Sequence, residues 1–232
     1  MPEGANMRTG RSGLARHLRE FDRQNGCVIV CEERKFIFLK TAKAAGTSIF
    51  RRHLQSMPLD LIFKKEHPQR LANWLAKVTD RALEQYFIFT VVRNPWDRMV
   101  SVAGHFEIPF LEFIHRLPHY LEDEQIHMHS LPCHLSTHHR GGRFADGICR
   151  MECVQADYNL VCDQLGFQRI ILPRANRTRH AHYSEYYSDV ERLIVERAYA
   201  EDIRLHGYMF ERIRNSAALP AAVPMNVSAR AA

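Results

Sequence analysis

Two stretches of this chain carry residue types suited to handling anions. The first is Lys40-Thr41-Ala42-Lys43-Ala44-Ala45-Gly46-Thr47-Ser48. Small residues let a backbone fold tightly and turn successive N–H groups into one concavity. A helix N-terminus behind them adds partial positive charge, and the Thr47 and Ser48 hydroxyls add donors. The stretch reads as an anion cradle or as a plain small-residue turn between a strand and a helix. It is not a Walker A loop, because the lysine precedes the glycine. The second stretch is Val91-Val92-Arg93-Asn94-Pro95-Trp96-Asp97-Arg98-Met99-Val100-Ser101. Arg93 leaves the end of an apolar run. Ser101 falls two helical turns past Asn94, on the face of Asp97 and Arg98 and off the Trp96/Met99 stripe. An arginine and a hydroxyl converging there would suit a second phosphate. The same residues also read as an N-cap with surface charges.

The histidines, 14 in all, are the other candidates. His67, in Lys64-Lys65-Glu66-His67-Pro68, would stand at a strand's carboxyl edge beside both stretches, or be a surface turn residue before a proline. His127, His129, His134, His138 and His139 crowd around Cys133. That density invites zinc, but no clean ligand spacing on fixed elements accompanies it, and Cys133 is its only thiol. A solvated loop or the lining of a binding site is the plainer reading, and no metal is assigned. His105, one turn past Ser101, is a reserve candidate.

The elements that must position these groups follow from periodicity. Phe36–Leu39 is a short apolar run that predicts a buried strand, with a helix opening at Thr47-Ser48. Leu59–Lys64 is a second candidate strand. Leu71, Trp74, Leu75 and Val78 mark an amphipathic helix. Tyr86–Val92 is the strongest strand, rich in aromatic and β-branched residues. Asn94 caps and Pro95 starts the next helix, which buries Trp96, Met99, Val100 and Ala103. A short helix is expected near 110–117 and a turn at Gly141-Gly142. Val154, Tyr158, Val161, Cys162 and Leu165 form a helical stripe stopped by Gly166. Ile170–Leu172 predicts a last strand. Ser188 and Glu191 form a capping box for a helix running to Gly207. Strands alternating with helices predict an α/β class with a mostly parallel sheet, whose ligands bind at the carboxyl ends of the strands.

The 232 residues, 46% hydrophobic and 25% charged, have an ordinary globular composition. A polar, Arg-rich lead-in (1–24), a single domain (25–213) and an Ala/Pro-rich tail (214–232) are expected. The net charge of +6 suits anionic ligands, but it is too small and dispersed to argue for nucleic acid. No run approaches a membrane span, and no apolar signal core opens the chain, so a cytoplasmic protein is expected. The six cysteines form no CxxC pair and predict free or buried thiols.

Taken in order, FIFLKTAKAAGTSI and FTVVRNPWDRMVS resemble the two nucleotide-binding signatures of the PAPS-dependent sulfotransferases. The resemblance is closest to the carbohydrate sulfotransferase branch (heparan 2-O and chondroitin/dermatan types) and its bacterial relatives. Arg150-Met151-Glu152 with Asp157-Tyr158 resembles that branch's R-x-E…D-F segment, and LPRANRTRHAHYSEYYSD and EDIRLHGYMF resemble its C-terminal pattern. The likeness spans roughly residues 34–211. It implies a P-loop-like, three-layer α/β fold with a central mostly parallel sheet flanked by helices, binding 3′-phosphoadenosine 5′-phosphosulfate (PAPS). By position, Lys43, Ala44, Ala45, Gly46, Thr47 and Ser48 would hold the 5′-phosphosulfate, and Arg93 and Ser101 the 3′-phosphate. Arg177, Thr178, Arg179 and Tyr183 would fall in a segment closing over the nucleotide. Lys43 would stabilise the leaving group and His67 would be the general base. The acceptor would be a hydroxyl, on a carbohydrate by analogy with the branch, and no metal is required. Cys153-Val154 stands where the family often has Asn-Leu, and Cys133 where Gln is common. Two rivals are a nucleotide or small-molecule kinase and a non-catalytic nucleotide- or glycan-binding module. The kinase should show a lysine after the glycines and a Mg²⁺-holding acid, and neither is evident.

Overall fold

A computed structural model of the chain describes residues 13–24, 27–57, 59, 61–62, 68–120, 124–172 and 181–212. Among them are seven strands: β1 (Cys27–Cys31), β2 (Phe36–Lys40), β3 (Leu61–Ile62), β4 (Phe87–Val92), β5 (His138–His139), β6 (Gly142–Arg143) and β7 (Gly147–Arg150). The helices are α1 (Leu14–Arg23), α2 (Gly46–Arg52), α3 (Pro68–Leu75), α4 (Asp80–Leu83), α5 (Pro95–His105), α6 (Phe110–His115), α7 (Leu117–Tyr120), α8 (Glu124–Ser130), α9 (Val154–Leu165), α10 (Asp189–Ala198) and α11 (Ala200–His206).

The main sheet has the order β3-β1-β2-β4-β7. β1 runs antiparallel to both its neighbours, while β2, β4 and β7 are parallel, so four of the five strands point the same way. The period-2 alternation of the strands sorts their side chains onto two faces. Val28, Val30, Ile37, Leu39 and Ile88 pack under α1, α3 and α4. Ile29, Cys31, Phe36, Phe38, Phe89, Val91 and Cys149 pack under α2 and α9. The result is helices, sheet, helices: the three-layer α/β arrangement. A third cluster joins Val92 to α5, α6 and α10. β7 approaches β4 closely because Gly147 has no side chain; a Cβ there would lie 3.0 Å from Phe89 Cβ and 3.2 Å from the Phe87 ring.

Several elements differ from the sequence expectation. The segment read as a polar lead-in contains α1, whose Leu14, Leu18 and Phe21 are buried against the sheet. Each such burial stabilises by about 1.5–3 kcal/mol. Asp80 accepts hydrogen bonds from Gly13 N (2.9 Å) and Ala15 N (3.1 Å), so the start of α1 is capped from α4. Strands β1 and β7 were not anticipated. Ile170–Leu172 forms no strand: the Gln155 side chain on α9 donates to Ile170 O (2.9 Å) and accepts from Leu172 N (2.8 Å), using the groups a sheet partner would need. Ile171 is 90% exposed. Only Leu61–Ile62 of the expected second strand is described as strand. The capping box at Ser188 is present, but the helix breaks at Tyr199, with φ −120° and ψ 29°, before α11 continues to Gly207. At this break the Tyr199 hydroxyl donates to Ser130 O at 2.7 Å. No helix among the described residues is long and apolar enough to cross a membrane.

Candidate functional site

The parallel pairing of β2 with β4 puts their carboxyl ends side by side, with Leu39 opposite Thr90. Two threonines stitch these ends together. Thr90 Oγ1 donates to Leu39 O at 2.7 Å, and Thr41 Oγ1 donates to Val91 O. The two anion-handling stretches therefore leave the sheet as neighbours.

The first stretch is a turn over residues 42–45 that leads into α2. Lys43 (φ 59°) and Ala45 (φ 58°) both lie in the left-handed region, and Ala44 between them does not. Alternating handedness of this kind turns consecutive N–H groups toward one side, the geometry of an anion nest. Gly46 is required where it stands, since a Cβ would lie 2.6 Å from Lys40 Cγ. Ala44 and Ser48 are buried, and Lys43 and Thr47 half-buried. Burial, and then the charge of Arg93, lower the pKa of the Lys43 ammonium.

Arg93 ends β4 and is only 7% exposed. Its Nε donates to Asp97 Oδ2 at 2.7 Å and its Nη1 to Lys43 O at 2.8 Å. A buried guanidinium thus ties the two stretches directly. Asn94 caps α5, its Oδ1 accepting from Trp96 N (3.0 Å) and Asp97 N (3.5 Å). Asn94 N donates to Glu152 Oε1 at 2.7 Å, and its Nδ2 to Met209 O at 3.3 Å. Ser101 lies seven residues past Asn94 on α5, about 10 Å along the axis, with its side chain buried.

Behind these loops the Arg150–Tyr158 segment serves as a brace. Glu152 fixes the start of α5. Asp157 accepts from Arg150 N at 2.6 Å, and the Tyr158 hydroxyl is 2.9 Å from His53 Nδ1 at the end of α2. A second brace is largely buried. Arg98, 1% exposed, donates from Nη1 to Cys133 Sγ (3.0 Å) and from Nη2 to Ser130 O (3.2 Å). Asp202, 0% exposed, accepts from Cys133 N (2.7 Å), His134 N (2.8 Å) and His134 Nδ1 (2.8 Å). Burial alone would raise the Asp202 pKa; His134, Arg98 and the two backbone donors outweigh it and leave the carboxyl below its ordinary value. Burial pushes the Cys133 thiol up to about 11.

The candidates read from sequence fall into three groups. Lys43, Ala44, Ala45, Gly46, Thr47 and Ser48 share one turn, and Arg93 reaches it. Ser101 lies along α5, while His105, a turn further, packs its ring 4.8 Å from that of His129. Tyr183 is buried and its hydroxyl accepts from Glu211 N at 2.8 Å. His67, Arg177, Thr178 and Arg179 lie outside the described residues. The His-rich stretch is folded: His134 is engaged by Asp202, and the His138 Nδ1 is 2.8 Å from Thr137 Oγ1. Among the described residues no group of three or more His, Cys, Asp or Glu could hold a metal ion. Sequence reasoning missed the roles of Asp97, Arg98, Glu152 and Asp202. Asp97 had a local signal, its i,i+4 spacing from Arg93, and Glu152 stood in the R-x-E segment with no role assigned to it.

A family model described as the sulfotransferase family matches residues 27–209, from β1 through the residues that follow α11. No curated protein and no solved structure matches the chain.

Proposed function

The chain belongs to the sulfotransferase family, and from that premise we propose that it transfers the sulfuryl group of PAPS to a hydroxyl of an acceptor, on a carbohydrate. The observation that carries this reading is the meeting of the Lys43 turn with the Arg93 guanidinium, 2.8 Å from the Lys43 carbonyl. One half-buried ammonium and one buried guanidinium on adjacent loops suit a ligand with two separate anionic groups. In this reading the Lys43–Ser48 turn holds the 5′-phosphosulfate, and Arg93 with Ser101 the 3′-phosphate. Arg177, Thr178 and Arg179 complete the nucleotide site.

The reaction is an in-line displacement at sulfur. The acceptor oxygen forms a bond to sulfur as the bond from sulfur to the bridging phosphate oxygen breaks. Negative charge grows on that departing oxygen, and the Lys43 ammonium stabilises it there. His67 takes the acceptor's proton as its neutral imidazole. The leaving group is a low-pKa phosphate, so these residues suffice without a metal.

The test is ligand stabilisation. The 3′,5′-bisphosphate product should raise the thermal midpoint, because a ligand that binds only the native state stabilises it by mass action. Mg-ATP, with no 3′-phosphate for Arg93 and Ser101, should raise it less. Equal or greater stabilisation by Mg-ATP would overturn the donor assignment in favour of a kinase.

A further inference from the structure

We propose that Asp97 is a positioning residue for sulfuryl transfer: by holding the Arg93 guanidinium, it fixes the peptide of Lys43 in its left-handed turn. The inference rests on the reading of Lys43 as the residue that stabilises the leaving group.

A guanidinium is planar, so fixing one of its nitrogens in plane aims the others. Asp97 takes Nε at 2.7 Å, and Nη1 then meets Lys43 O at 2.8 Å. Asp97 is itself well placed to act as a fixed point. It sits in the first turn of α5, where Asn94 Oδ1 accepts from its backbone N–H and Glu152 accepts from the N–H of Asn94. The relay therefore runs from a braced helix start, through a buried guanidinium, to the backbone of a lysine whose φ of 59° a side chain adopts only under constraint. If the Nη1 donor is misaimed, the Lys43 carbonyl loses its partner and the turn can relax. The ammonium then moves with the peptide that carries it. Among the described residues, two of the five guanidinium N–H groups are spent, on Asp97 and Lys43, and the other three can meet an anion. One side chain can thus bind the nucleotide and set the lysine at once. A simple i,i+4 surface pair would not behave in this way, because it would have no buried partner on another element.

Asp97→Asn keeps the shape and removes the charge. It should lower kcat for transfer from PAPS about tenfold or more, as expected when a positioned group is shifted by a fraction of an ångström to an ångström. The affinity for the 3′,5′-bisphosphate should fall by a smaller factor than kcat, since the Arg93 charge remains and only its aim changes. In a Lys43→Ala background the same substitution should have no further effect on kcat, because residues acting through one another are not additive. Asp97→Glu should recover part of the loss. In the ligand-free protein, amide exchange across residues 42–46 should be faster in Asp97→Asn than in wild type. A kcat loss of the same size with and without Lys43, or unchanged exchange in the turn, would overturn the proposal. Should the wild type fail to transfer from PAPS at all, the functional reading fails, and the exchange measurement still decides whether Asp97 holds the turn.

Discussion

Replacing Lys43 by Ala and by Gly separates what its side chain does from what its backbone endures. Both variants remove the ammonium, so both should lose turnover. Deleting a single preorganised group that stabilises developing charge costs about 10²–10³-fold. Their stabilities should differ. With φ at 59°, alanine retains the clash between Cβ and backbone, which costs about 1–2 kcal/mol in this region. Glycine removes the clash but loses more backbone entropy on folding, about 0.5–1 kcal/mol. The balance favours Lys43→Gly over Lys43→Ala by about 0.5–1 kcal/mol, or roughly 1–4 °C in thermal midpoint for a domain of this size. Both variants also escape the cost of half-burying a charge beside Arg93, which already lowers the Lys43 pKa in the native protein. The assay is thermal unfolding of the two variants and the wild type, with turnover measured on the same samples. A glycine variant no more stable than the alanine variant would show that the turn stores no strain at Lys43. Turnover surviving in either would remove Lys43 from the reaction.

His67→Ala should keep the fold and bisphosphate binding while lowering transfer about 10²–10⁴-fold; near wild-type rates would place the base elsewhere, with His105 and His129 next to test. Asp202→Asn should cost about 1–3 kcal/mol in urea unfolding, because an amide has one accepting oxygen where the carboxylate has two and leaves a buried backbone N–H of Cys133 or His134 without its partner; a loss under about 0.5 kcal/mol would mean that the turn at Cys133 does not depend on this carboxylate. Stability should also fall on the acid side. Burial lowers the His206 pKa to about 4 from 6.5, so between these values the unfolded chain binds more protons at this ring. Stability present above pH 6.5 is then lost as pH drops toward 4, by up to about 3 kcal/mol from this ring. His17, His138 and His139 shift in the same direction. Asp22, raised to about 6 by burial, works in the opposite sense and trims the loss. Denaturation midpoints that stay flat from pH 7 to 5 would contradict this balance.

The features legible in the sequence are those whose chemistry is local. The Lys43–Ser48 turn shows in a run of contiguous small residues. The α5 cap shows in Asn94-Pro95, the capping box in Ser188 and Glu191, and the end of α9 in Gly166 at φ 65°. What was not legible depends on partners far along the chain. The Glu152 contact with Asn94 spans 58 residues, and that of Asp202 with Cys133 spans 69. No periodicity encodes such pairs. Strand β7, Gly-Ile-Cys-Arg, carries little β-propensity and exists because β4 offers it a parallel edge and Gly147 lets it approach. Conversely, Ile170–Leu172 has the composition of a strand, but Gln155 claims its backbone groups. Helix α1 is masked by its five charged residues, Arg16, Arg19, Glu20, Asp22 and Arg23; only the spacing of Leu14, Leu18 and Phe21 reveals the face that packs on the sheet.

The central claim is sulfuryl transfer from PAPS, and incubating the protein with PAPS labelled in its sulfuryl group tests it most directly. Carbohydrate, phenol and lipid hydroxyl acceptors would be offered in parallel, with Lys43→Ala as the control. The predicted result is label on a carbohydrate hydroxyl, release of the 3′,5′-bisphosphate in equal amount, and at least a hundredfold less of both with Lys43→Ala. Label that stays on the donor with every acceptor, or that moves equally well with the lysine gone, would contradict the account.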